Sequence, residues 1–240
     1  MQRIFITLDQ LNDNVILLDQ KTVHHLFDVC RLKVNASLEV VVNSQRLLKV
    51  RIVAIDVPNI HIHIVDQWAI SPKRDIAITL IQSLPKRDKL TEICRMCTEI
   101  GVSEFFPVIS EFCDVKELSD NKFKRINHAI ESAAQQSKQV HVPILHQTQP
   151  LSDCLAQITF PPDALLLLAD EVSSDLIGTL IHKRPSHIYL AIGPEGGYGA
   201  NDRELFTSNG FTPFSLGTFI LRTEHAAFSA INQLDGWFSR

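Results

Sequence analysis

From residue 76 onward the chain repeats one pattern, a short apolar run followed by a longer stretch whose apolar positions recur at helical spacing. The runs at 76–83, 105–109, 164–169, 187–192 and 212–216 read as strands. The stretches at 90–100 (closed by Gly101), 122–136, 202–208 and 224–238 read as helices. Residues 164–169 are apolar without interruption, which a strand tolerates only when both of its faces are buried. Strands of that kind, separated by helices, imply an α/β fold with a mainly parallel sheet covered on both faces.

The first 70 residues follow a different rule. An opening strand at 3–6 and β-rich runs at 38–42, 47–55 and 60–65 surround a short helix carrying His24, His25, Leu26 and Val29. In Ile60-His61-Ile62-His63-Ile64 the side chains alternate strictly, which marks a half-buried strand with its histidines toward solvent. Ser71-Pro72 is the expected boundary, because proline cannot donate to a central ladder. The chain therefore reads as a small β domain, 1–71, followed by a larger α/β domain, 72–240.

Several classes of protein are excluded early. At 45% apolar and 21% charged the composition is that of a folded globular chain, and no run nears the ~20 apolar residues of a membrane helix. The amino terminus has too short an apolar patch for a secretion signal, and five cysteines suit a reducing cytoplasm. Cys94 and Cys97 form a C-x-x-C without a second ligand pair, so they are expected to pack in a helix rather than hold metal. No metal site is expected at His61 and His63 either, since no third ligand accompanies them. Net charge is −4, distributed as 0 over 1–72, +1 over 73–138 and −5 over 139–240. Basic residues bunch at Lys73-Arg74, Lys86-Arg87-Lys89 and Lys122-Lys124-Arg125. That distribution permits RNA contact without requiring it.

The chemistry concentrates in two segments. Ile192-Gly193-Pro194-Glu195-Gly196-Gly197-Tyr198-Gly199 follows a strand directly and holds four of the nine glycines. Such density lets the backbone approach a ligand closely, and Asn201 with Glu204 offers a cap for the next helix. The loop matches neither the dinucleotide fingerprint nor the phosphate loop, and no nucleophile elbow occurs. The second segment runs from Leu216-Gly217 to Arg222-Thr223-Glu224. Thr223 can cap the last helix and Glu224 suits its positive first turn, but Arg222 stands at the wrong end of the helix dipole unless it faces an anion or a substrate. Ala226, Ala227, Ala230, Ile231 and Leu234 form a small-residue face fit for a core or a dimer interface.

These two segments, IGPEGGYGANDRE and LGTFILRTEHAAFSAI, closely resemble the RsmE family, 16S ribosomal RNA uridine-N3 methyltransferases of the SPOUT superfamily. His25-Leu26 with Val29-Cys30-Arg31-Leu32, and Glu99-Ile100-Gly101-Val102, are similar to further family patterns. The resemblance implies a trefoil-knotted methyltransferase domain after a PUA-like β-barrel that binds RNA. It implies S-adenosylmethionine as cofactor, held by Leu167, Leu168, Ile192, Gly193, Pro194, Glu195, Gly196, Gly197, Leu216, Gly217, Ile220, Leu221, Thr223 and Ala226. Arg222 is then the candidate for stabilising charge on the uracil oxygens, and Glu195 or Glu224 for accepting the N3 proton. Arg3, Arg31, Lys86 and Arg87 are candidate phosphate contacts. A cytoplasmic homodimer acting on the 30S subunit is implied, with the small face of the last helix partly given to the partner chain. The family's charges are replaced at Met96, Phe112, Gln135 and Gln139, which leaves open a different RNA target or a non-catalytic binding module.

Overall fold

The computed structural model describes residues 1–70 and 76–238, so the expected boundary at Ser71-Pro72 and the pair Lys73-Arg74 lie outside the described residues. The chain forms two compact units, one of residues 1–73 with 135–141 and one of residues 74–134 with 142–240.

In the first unit, β1 (Gln2–Ile6), β2 (Leu11–Asn12), β3 (Val15–Leu17), β4 (Ser37–Val42), β5 (Arg46–Asp56) and β6 (Asn59–Ala69) make one sheet in the order β1-β4-β5-β6-β3-β2. Only the β1–β4 pair is parallel. Alternation along the strands builds its core. Ile4, Ile6, Val40, Val42, Leu48, Val50, Ile60 and Ile62 point inward, while His61 and His63 face solvent. The expected helix is a single α turn, α1 (Gln20–Val23), continued as a π-helix over His24–Val29, in which Cys30 N–H reaches back five residues to the His25 carbonyl.

Arg3 closes this unit around the 135–141 segment. Its guanidinium pairs with Glu39 at 3.0 Å and donates to the carbonyls of Lys138 (2.7 Å) and Gln139 (2.8 Å). Burial raises the Glu39 carboxyl pKa, but the ammonium of Lys138 and the guanidinium of Arg3 outweigh it and hold the carboxyl below its ordinary value.

In the second unit the strands are β7 (Ala77–Ser83), β8 (Glu104–Ile109), β9 (Ile144–Leu145), β10 (Gln149–Pro150), β11 (Leu165–Ala169), β12 (His187–Ile192) and β13 (Thr212–Phe214). They form a sheet in the order β10-β8-β7-β12-β11-β13, with β9 beside β8, and every pair is parallel. The helices are α2 (Lys89–Glu99), α3 (Asp120–Gln136), α4 (Leu151–Gln157), α5 (Ala200–Ser208) and α6 (Thr223–Phe238). One face of the sheet presents Ile78, Leu80, Phe105, Leu167 and Leu190 to α2, α3 and α6. The other presents Ile81, Phe106, Val108, Leu168 and Ala191 to α4 and α5. Leu167 and Leu168 thus enter opposite cores, which explains the uninterrupted apolar run.

Helix α2 buries Leu90, Ile93, Cys94 and Cys97, the expected i, i+3, i+4, i+7 stripe, and Gly101 at φ +93° turns the chain out of it. Burial pushes both thiols of the C-x-x-C pair well up, so they act as packing groups. The two-residue strands and the seven-residue α4 were not expected from the sequence, being too short to show a period. Strand β13 stops at Phe214 because Ser215 donates instead to the Asp175 carbonyl at 2.7 Å.

The small face of α6 is core. Ala226, Ala227, Ala230, Ile231 and Leu234 are buried in the cluster that α2 shares, which corrects its assignment in part to a partner chain. Ala230→Leu is accordingly expected to overpack this contact and lower the unfolding free energy by about 1–3 kcal/mol in urea titration. Unchanged stability with an altered oligomeric state would refute the core assignment.

Candidate active site

Strands β11, β12 and β13 each pair in parallel, so the connections leaving them emerge on one carboxyl edge. Residues 169–171, 192–198 and 215–223, with Ala226, enclose a cavity of about 440 Å³ there. The carboxyl edge of a parallel sheet is where α/β folds place their ligands, and the volume falls within the usual range of such pockets.

The glycine loop makes one wall. Gly197 donates its N–H to the Pro194 carbonyl at 3.0 Å and sits at φ +70°. A Cβ on it would stand 2.7 Å from a carboxylate oxygen of Glu171, which would have to swing aside, and the backbone conformation calls for glycine. Tyr198 is buried beneath the loop, edge-on to Phe206 of α5.

Two polar side chains fasten the loop to its neighbours. The buried amide of Gln82, at the carboxyl end of β7, donates toward the Ile192 carbonyl (3.3 Å) and the Thr223 hydroxyl (3.0 Å). Thr223 in turn donates to the Gly193 carbonyl at 2.7 Å. Thr223 therefore ties the glycine loop to the start of α6 rather than capping that helix. The cap expected from Asn201 is also displaced. Helix α5 starts two residues earlier than expected, at Ala200, and the Asp202 carboxylate accepts the N–H groups of Gly199 (3.2 Å) and Glu111 (3.1 Å). Behind the loop, Arg203 clasps the buried Asp170 through two bonds of 2.7 and 2.9 Å, which raises the guanidinium pKa.

Charge at the cavity is organised by lysines at the start of α2. Lys89 Nζ lies 2.9 Å from Glu195 and 3.1 Å from Glu224. The backbone N–H of Lys86 reaches both Glu195 oxygens at 3.2 Å, while its ammonium pairs with Asp114. Burial raises the pKa of the Glu195 carboxyl, but Lys89 and the backbone N–H groups of Glu195 and Lys86 outweigh it, leaving it below its ordinary value. Glu224 follows the same balance, burial against its own backbone N–H and Lys89. Arg222 lies on the cavity rim, exposed, and no protein partner meets its guanidinium among the described residues.

The expected residues are mostly brought together. Ile192, Gly193, Pro194, Glu195, Gly196, Gly197, Leu216, Gly217, Ile220, Leu221, Arg222, Thr223 and Ala226 all line the cavity. Leu167 and Leu168 lie in the core behind it, and the Glu224 carboxylate is turned to Lys89. Lys86 and Arg87 stand at the start of α2, with the Arg87 carbonyl taken by the ammonium of Lys122. Arg31 is exposed in the first unit, at φ +53°. Arg3, only 6% exposed, is occupied by Glu39 and two carbonyls. Sequence reasoning did not single out Gln82, Lys89, Asp170, Glu171 or Arg203 for this site. One signal was available for Lys89, a cation at the positive end of a helix.

Gly197→Ala is expected to destabilise the protein by about 1–2 kcal/mol, the cost of a left-handed backbone at a residue with a Cβ, and to displace Glu171. Wild-type stability in urea unfolding would show that the loop's shape does not depend on this glycine.

With this geometry in view, residues 72–235 match the model of a family described as an RNA methyltransferase domain. The ribosomal RNA small subunit methyltransferase E of Synechocystis is 33% identical over 162 residues, 67% of this chain, and the chain spans only 53% of that protein's length. The protein of the same name from Rickettsia conorii is 28% identical over 227 residues, 93% of this chain and 90% of its own. Among solved structures, the small subunit methyltransferase E of Neisseria gonorrhoeae bound to S-adenosyl methionine superposes with a TM-score of 0.87 at 24% identity. That match covers 99% of this chain and 98% of the other, and at such identity it speaks for the fold. Since the matching region is well over half of the chain, the protein belongs to the RNA methyltransferase domain family, and within it is similar to the RsmE proteins.

Proposed function

We propose that this protein methylates N3 of a uridine in small-subunit ribosomal RNA, using S-adenosylmethionine. The observation that carries the reading is the cavity at the carboxyl edge of β11, β12 and β13, with the Arg222 guanidinium on its rim unpaired among the described residues. The names of the relatives supply the RNA class, and the ligand of the Neisseria structure supplies the cofactor.

The residues present fit that cofactor. Leu216, Ile220 and Leu221 provide apolar walls for an adenine ring, and the glycines at 193, 196 and 197 leave backbone accessible to its polar edge. Glu171 and Glu195 line the same cavity, a setting suited to a ligand with a positive sulfur and an ammonium group, while the Asp170 carboxylate is taken by Arg203. When bound, the cofactor supplies a methyl group activated by that positive sulfur.

The protein's own groups have three tasks. The target base must leave any pairing and be held with N3 in line with the methyl carbon. The N3 proton must depart, and Glu195, ionised and on the cavity wall, is the acceptor. Arg222 presents a planar fork of donors to the negative charge that then develops on the uracil oxygens.

Arg31, Lys86 and Arg87 serve as phosphate contacts in this scheme, while Arg3 is left to its structural role. The first unit acts as a PUA-like RNA-binding domain, and the second carries a trefoil knot and pairs with a second copy of itself. With a net charge of −4, free RNA is held weakly, which favours an assembled cytoplasmic 30S particle as substrate.

Transfer of labelled methyl to 30S particles lacking the modification, followed by nucleoside analysis, tests the reading. N3-methyluridine in 16S rRNA is the expected product, and its absence despite cofactor binding refutes it. Arg222→Ala is expected to slow transfer by about 100-fold or more while calorimetric cofactor affinity stays close to wild type. Retained turnover would remove Arg222 from the mechanism.

A further inference from the structure

Lys89 occupies the first position of α2, where the helix dipole disfavours a cation, and its neighbour Asp88 gives the helix no side-chain cap. What compensates this placement is not in α2. The ammonium lies 2.9 Å from Glu195 of the glycine loop and 3.1 Å from Glu224 in the first turn of α6. One nitrogen thus joins three segments that are far apart in sequence, two of which wall the cavity. The two carboxylates are not equivalent. Glu195 lines the cavity with a quarter of its side chain exposed, whereas the Glu224 side chain is 10% exposed and stands behind it.

We propose that Lys89 is a positioning residue for methyl transfer: held between two carboxylates, it fixes Glu195 on the cavity wall as the group that faces the reacting base, with Glu224 as the rear anchor. The inference rests on the methyltransferase reading above, in which Glu195 accepts the proton, and adds the group that holds it in place. The N3–H bond breaks toward a Glu195 oxygen and the bonding pair stays on N3 for attack on the methyl carbon, whose bond to sulfur would break with its electron pair left on the neutral thioether, and the proton leaves Glu195 for solvent.

The two carboxylates lie within about 3 Å of one nitrogen, and the ammonium between them favours the charged form of both. The other charges facing Glu195 do not replace it. Lys86 offers a backbone N–H, and its ammonium is paired with Asp114. Glu224 faces, besides Lys89, the adjacent His225 and its own backbone N–H. Removing Lys89 leaves burial as the dominant influence on both acids, so their ionisation moves to higher pH. A base must be ionised to accept a proton, and the acid limb of the rate profile moves up with it.

The test compares wild type, Lys89→Met, Lys89→Arg and Glu224→Gln in single-turnover methyl transfer to unmodified 30S particles as a function of pH. Cofactor affinity by calorimetry and unfolding in urea are measured on the same samples, with carboxyl-labelled glutamate followed by NMR. For Lys89→Met the expected result is a rate about tenfold lower at neutral pH, an acid limb displaced upward, and a Glu195 titration displaced in the same sense. Cofactor affinity stays within about threefold, because backbone and apolar walls remain. Lys89→Arg restores rate and profile, and Glu224→Gln lowers the rate without abolishing it. A Lys89→Met protein with the wild-type rate and profile overturns the proposal, as does a loss that follows stability and cofactor affinity and is not rescued by arginine. Wild-type protein that transfers no methyl to any ribosomal RNA overturns the functional reading instead, a result the NMR titration does not depend on.

Discussion

Burial of both sheet faces is the constraint from which the rest of the second unit follows. Strands such as β11 place successive leucines into opposite cores, so neither face has room for an uncompensated polar group. Polar chemistry is thereby confined to the strand ends. The parallel arrangement gathers the carboxyl ends of β11, β12 and β13, together with those of β7 and β8, on one edge. Backbone-rich loops and charged side chains meet there, while the core behind them stays apolar.

At that edge the loops are held by a few directed bonds rather than by packing. Gln82 and Thr223 bind the carbonyls at the exit of β12, Asp202 binds the N–H groups of Gly199 and Glu111, and Arg203 neutralises Asp170. Each tie pairs a buried polar group with a partner from another segment, a pairing that is costly to break once water is excluded. The glycine loop, whose anchoring side chains are Glu195 and the buried Tyr198, gains the rest of its shape from these surroundings. Phe219 and Ile220, 83% and 84% exposed, complete the opposite wall with little packing of their own.

Two cations stand at helix starts, against the dipole, and they differ in what answers them. Lys89 is met by two carboxylates of this chain, and Arg222 by no protein group among the described residues. The same local anomaly therefore marks an internal anchor in one case and a group turned toward the cavity in the other. Arg3 gives a third outcome. Expected at a phosphate, it is occupied by Glu39 and by carbonyls of the 135–141 segment, which explains why those residues belong with the first unit.

The sequence by itself determined what depends on near neighbours along the chain. The period-two run at Ile60–Ile64 became β6 with its histidines outward, the stripe of Leu90, Ile93, Cys94 and Cys97 became the buried face of α2, and the unbroken apolar run at 165–169 became a strand covered on both sides. The glycine-rich loop and the Leu216–Leu221 stretch were recognisable as cavity walls because their composition is exceptional. The tie that Thr223 makes to Gly193 was decided otherwise, by a bond to a partner 30 residues away that no local pattern reveals. Only the tertiary structure could settle which charges are used up. Gln82 lies 141 residues from Thr223 and Lys89 lies more than 100 from Glu195, and electrostatic pairing depends on distance in space, which the order of residues does not encode.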